Sequence, residues 1–122
     1  MLNERLDQVL RTELLLSLQR AMLGVVPASL RAVTCDWDEG RVTLRYLFDG
    51  SIQPGDAAAM TAVGVEVADD FRDTVAVEEQ IVRVDHPACL ALHALRAWAY
   101  MRKEAPTEDL LLRPTGADEP ER

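Results

Sequence analysis

His86, Cys89 and His93 are the residues whose types and spacing come nearest to a reactive or metal-binding set. A structural zinc site normally takes four ligands, and the one obvious fourth, Cys35, lies far off in the chain. A Cys–His nucleophile pair would also need an oxyanion-binding loop, and none accompanies Cys89. No Gly-rich loop is present to cradle a phosphate. Carboxylates are plentiful, with 21 Asp and Glu in 122 residues. A general acid, however, needs a pocket that shifts its pKa, and these carboxylates fall on charged faces. The expected chemistry is therefore that of a binding protein with no catalytic set, no metal and no cofactor.

The binding feature is acidic. Glu66, Asp69, Asp70 and Asp73 stand at i, i+3, i+4 and i+7, which places them along one side of a helix beside its apolar stripe. Exposed negative charge near a helix C-terminus opposes the macrodipole at about 0.3–1 kcal/mol per charge. Like-charged neighbours at i, i+4 add a few tenths more, and Arg72 offsets only part. A basic partner would relieve this, whereas a solvated face serving solubility is the plainer alternative. Asn in place of Asp69 and Asp70 is expected to stabilise the free protein and weaken the complex. Asp36, Asp38 and Glu39, with Glu78 and Glu79, would extend the surface, although Asp in a turn also bonds its own backbone. Trp37 and Trp98 are either interface anchors or core residues. The expected partner-binding set is Glu66, Asp69, Asp70, Asp73, Glu78, Asp36, Asp38 and Trp37.

A formal net charge of −8 agrees with a basic partner. It argues against direct binding of nucleic acid or an anionic membrane, which take clustered Lys and Arg. No apolar run approaches the roughly 20 residues of a membrane span. Leu14-Leu15-Leu16-Ser17-Leu18 lacks the order of a signal peptide, so the expected location is the cytoplasm. There Cys35 and Cys89 read as a reduced pair.

These residues must be positioned by a small set of elements. Leu2, Leu6, Val9, Leu10, Leu14, Leu18 and Met22 recur at helical steps, predicting a helix over 1–23 that Gly24 stops. Leu30–Trp37 and Arg41–Phe48 alternate apolar and polar residues around Asp38-Glu39-Gly40, a hairpin with one core face. Pro54 suits the first turn of a second helix, over 54–71, whose stripe is Met60, Val63, Val67 and Phe71. Its small residues, among them Ala62 and Gly64, allow close approach. Residues 74–84 read as a strand with Val75, Val77 and Ile81 on one side and Val82 and Val84 on the other, consistent with a bulge or burial on both sides. Over 88–103 propensity favours helix, yet Trp98 and Tyr100 alternate as in a central strand. Residues 1–104 are expected to form one domain, and 105–122 an acidic, Pro-containing tail latched by Leu110-Leu111-Leu112.

Five phrases in order then stand out: Leu30-Arg31-Ala32-Val33, Leu47-Phe48-Asp49-Gly50, Val65-Glu66-Val67-Ala68-Asp69-Asp70-Phe71, Val82-Arg83-Val84-Asp85-His86-Pro87 and Trp98-Ala99-Tyr100-Met101-Arg102-Lys103-Glu104. Together they resemble a family of small bacterial immunity proteins of polymorphic toxin systems (contact-dependent or type VI/Rhs toxins). The resemblance covers roughly 14–104 and implies that 94–103 is a strand. The resulting expectation is an α+β fold: an antiparallel four-stranded sheet with helices on one face, in the order helix, strand, strand, helix, strand, strand. It also implies that the partner is a cognate toxin, and the acidic surface favours a basic toxin that attacks nucleic acid. A non-inhibitory adaptor or chaperone for a secreted effector is the alternative, followed by a small ligand-binding protein or enzyme.

Overall fold

The computed structural model of the chain describes residues 3–72 and 75–105. The expected latch at Leu110–Leu112 and the rest of the tail from 106 onward lie outside the described residues, as does Asp73.

Helix α1 spans Glu4–Met22, capped where the Asn3 carboxamide oxygen accepts from Leu6 N at 2.8 Å. Strands β1 (Leu30–Asp38) and β2 (Arg41–Phe48) form the hairpin, with Gly40 at φ 82° in the turn. Helix α2 runs Pro54–Phe71, followed by β3 (Ala76–Arg83), a 3-10 turn (Leu90–Leu92) and β4 (Ala97–Met101). The last segment is thus a strand, against helix propensity. Trp98 and Tyr100 align with Thr34 and Val33 of β1, and this sheet pairing outweighs the preference of the alanines.

The spatial strand order is β3-β2-β1-β4. Here the fold departs from expectation. β1 pairs antiparallel with β2 and with β4, but β2 and β3 are parallel, so the sheet is mixed. The cause is α2, which lies between β2 and β3 in the chain. It returns the chain to the starting end of β2, so an adjacent strand must then run the same way. The element order also gains the 3-10 turn ahead of β4.

Both helices pack on one face. Leu14, Leu18 and Met22 of α1, with Met60, Val63, Val67 and Phe71 of α2, close over Val33, Cys35, Trp37, Val42, Leu44, Tyr46 and Phe48. A smaller cluster on the other face joins Ala32, Leu47, Val84 and Leu90 beneath the loop that follows β3. Strand β3 is an edge strand only partly covered on each side, Val77 toward the helices and Val82 toward the loop, with no break in its register. A bulge falls instead in β1, where the register shifts between Leu30 and Ala32. Arg31 is the extra residue, and it turns away from the helices with Ala32.

The outward face of α1 differs from the sequence reading. Leu6 and Val9, expected in the buried stripe, are 48% and 47% exposed. Asp7 turns inward instead, and its carboxylate accepts from the Trp37 indole Nε1 at 2.8 Å.

Candidate partner-binding surface

The acidic end of α2 divides into open charge and internal ties. Glu66 and Asp69 are exposed, and the last turn of α2 contains no basic residue. Asp70 faces α1, where its carboxylate accepts from Ser17 Oγ at 2.6 Å and Arg20 Nη2 at 3.1 Å. Those bonds, Ser17 first, hold the Asp70 carboxyl below its ordinary value. Asp70, although its side chain is 43% exposed, ties the two helices together, a contact that Asn at both Asp69 and Asp70 would weaken.

The remaining acids do not join that surface. Asp36 and Glu78 both align with Thr43, in a row across the sheet face turned away from the helices. Asp36 accepts from Trp37 N and from Arg96 Nε at 2.9 Å, while Glu78 pairs with Arg41 at 3.2 Å. Asp38 and Glu39 are exposed at the hairpin turn. Glu79 points to the helix side, where it accepts from Tyr46 Oη at 3.0 Å, and burial pushes its carboxyl up. A Cβ at Gly64 would overlap that carboxylate, so the small residue in α2 makes room for it.

Trp37 is buried, which removes it from any open surface. Its ring lies beneath Arg96, whose guanidinium carbon is 3.8 Å from the ring centroid, with Arg11 at 5.8 Å. Trp98 is the exposed tryptophan, at 39%.

The candidate reactive residues are scattered. His86 Nε2 donates to Ala105 O at 3.2 Å. Cys35 and Cys89 are buried and free, and burial pushes the Cys35 thiol up to about 12. Among the described residues no three His, Cys, Asp or Glu side chains converge on a metal position.

What sequence reasoning missed is a buried polar network that joins four of the five family-like phrases. Arg31 is fully buried: Nη1 donates to Val84 O at 2.7 Å and Ala88 O at 3.1 Å, and Nη2 to Glu104 Oε1 at 2.6 Å. Glu104 also accepts from Arg102 Nε at 2.8 Å, and Arg102 Nη2 donates to Asp49 at 2.7 Å. Asp49 in turn accepts from His86 N at 3.1 Å. The available signal was an arginine inside the apolar run Leu30–Val33, which needs a carboxylate once buried.

These features define a small α+β protein whose charged side chains either tie its elements together internally or lie open on its outer faces. The MafI2 immunity protein family model matches residues 11–104, and the chain belongs to that family. All five phrases fall inside the matched span. Membership makes toxin neutralisation the role of its class, with a cognate toxin as partner. No curated protein matches the chain.

Proposed function

We propose that this protein neutralises its cognate toxin by binding it through the acidic outer face of the helical layer, and that the toxin is a basic one acting on nucleic acid. The observation behind this reading is that Glu66 and Asp69 stand open at the C-terminal end of α2, with no cation in the last turn and the C-cap Arg72 offsetting only part of their charge. Charge placed there costs stability in the free protein and is relieved when Lys or Arg of a partner approaches. A toxin that handles nucleic acid presents such residues in its substrate groove, and a net charge of −8 speeds the encounter. Asp36 and Glu78, paired with Arg96 and Arg41, and the exposed Asp38 lie away from that face and contribute to binding only through the long-range field.

In this reading the protein acts stoichiometrically, without catalysis or cofactor, in the cytoplasm. Residues 1–104 are the binding domain and 105–122 an appended tail. No helix of the described residues is long and apolar enough to cross a membrane.

Growth rescue tests the proposal. Co-expression with the toxin should restore growth, and Glu66→Lys with Asp69→Lys should abolish rescue while leaving the circular dichroism spectrum unchanged. Full rescue by the double variant would rule out the acidic mode. Binding of the toxin by the wild type without rescue would identify an adaptor.

A further inference from the structure

We propose that the toxin also seats on α1, and that the outward stripe Leu6, Val9 and Leu16 is the apolar centre of an interface whose acidic rim is Glu13, Glu66 and Asp69. This inference rests on the reading above and extends it to a second helix.

The stripe is unusual for a surface helix. Leu6, Val9 and Leu16 are each close to half exposed, at 48%, 47% and 48%, and Val65 on α2, one turn before Asp69, is 57% exposed. The opposite face of α1, with Leu14, Leu18, Ala21 and Met22, already fills the core, so Leu6, Val9 and Leu16 are apolar residues beyond what the fold buries. Two polar ties hold the helix in the same orientation: Asp7 accepts from the Trp37 indole, and Ser17 donates to Asp70. Helix α1 is thus fixed by a largely apolar inner face while a second set of aliphatic residues faces solvent, available to pack against a partner.

Between the helices lies an open depression of about 290 Å³, lined by Glu13, Leu16, Ser17, Arg20, Asp70 and Phe71. It falls below the usual size of a small-molecule pocket. Its apolar floor and charged walls suit one inserted side chain of a protein partner. Arg20, the one base lining it, is paired with Asp70, and around the stripe the exposed Glu4, Glu13, Glu66 and Asp69 outnumber Arg5 and Arg72, so the rim is acidic. An apolar centre within a charged rim is the general plan of a protein interface.

The charge pattern also selects the occupant. A second exposed apolar patch, Trp98 and Met101 on the edge strand β4, stands beside Lys103 and the ion-paired Arg96 and Arg102. A basic partner finds an excess of carboxylates at the helical face and no such excess at the strand edge, where the nearby charges are Lys103 and internally paired arginines.

The test measures affinity for the cognate toxin domain, made catalytically inert, at low and high salt. Val9→Ser with Leu16→Ser should weaken binding at least about tenfold and leave the salt dependence unchanged, because no charge is altered. Glu66→Gln with Asp69→Asn should weaken binding and flatten the salt dependence. Wild-type affinity in the α1 variant overturns this inference, and the acidic reading then survives if the α2 variant is weakened. Loss of binding in Trp98→Ala with the α1 variant unaffected also overturns it. A second measurement needs no loss of binding. The thiol of Leu16→Cys should be shielded from alkylation in the complex, and equal alkylation with and without toxin contradicts the proposal.

Discussion

Arg31 and Glu104 lie 73 residues apart, yet the Arg31 guanidinium, with no solvent exposure, donates from Nη2 to Glu104 Oε1 at 2.6 Å and from Nε to both carboxylate oxygens at 3.2 Å. The pair joins the bulge of β1 to the chain just beyond β4, and through Arg102 it reaches Asp49 at the end of β2. Glu104→Ala leaves the guanidinium buried without its counter-ion and should cost about 3–5 kcal/mol in urea unfolding. Arg31→Lys should not rescue, since an ammonium cannot reproduce the planar fork that reaches Glu104, Val84 O and Ala88 O together.

The same network sets the acid limit of the fold. Burial alone would raise the Glu104 carboxyl, but the hydrogen bonds from Arg31 and Arg102 outweigh it and hold the group below 4.5. Asp49 is held below 3.8 by Arg102 and His86 N, and Asp85 likewise by Arg83 and Gly50 N. Folded-state values below the unfolded ones add stability that is present above the unfolded values and lost as pH falls through the folded ones. Unfolding midpoints should hold from neutral pH to about pH 5 and then drop. The gap between wild type and Glu104→Gln should close over that same drop. Glu79 has the opposite sign: its raised carboxyl favours the fold below 4.5, so Glu79→Gln should be neutral or stabilising at pH 7.

The two tryptophans should separate cleanly. Trp37→Ala removes a buried ring that bonds Asp7 and stacks beneath Arg96, and should cost about 3–5 kcal/mol. Trp98→Ala should cost about 1 kcal/mol or less, as expected for a surface site. Acrylamide should quench Trp98 in a Trp37→Phe protein far more than Trp37 in a Trp98→Phe protein.

Gly64 gives a change of sign. Gly64→Ala displaces the Glu79 carboxylate from the Tyr46 hydroxyl and should destabilise by about 1 kcal/mol, because a buried hydroxyl loses its acceptor. In a Glu79→Ala background the obstruction is gone, and the same substitution should stabilise by about 0.5–1 kcal/mol through helix propensity.

The architecture was readable wherever local periodicity and burial agree. Met60, Val63, Val67 and Phe71 repeat at helical spacing and are all buried, and the hairpin alternates as its turn demands. The parallel β2–β3 pair was harder to read, because periodicity is blind to which strands become neighbours. Helix α1 shows a second limit. Its aliphatic residues fit more than one helical face, and the one that packs carries Leu14, Leu18, Ala21 and Met22 together with two polar contacts, Asp7 with Trp37 and Ser17 with Asp70. The acids counted in the sequence share one formal charge but not one role. Glu66 and Asp69 are open, Asp70 is exposed but bonded to Ser17 and Arg20, Glu104 is a mostly covered tie to Arg31, and only tertiary contacts separate them.

The central claim is that open acids on the helical layer meet a basic toxin. The direct measurement is the association rate of wild type and of Glu66→Gln with Asp69→Asn as salt rises and the Debye length shrinks from about 10 Å at 0.1 M to about 3 Å at 1 M. The wild-type rate should fall steeply, and the variant should start slower and fall less. A wild-type rate that stays flat across that range would contradict the account.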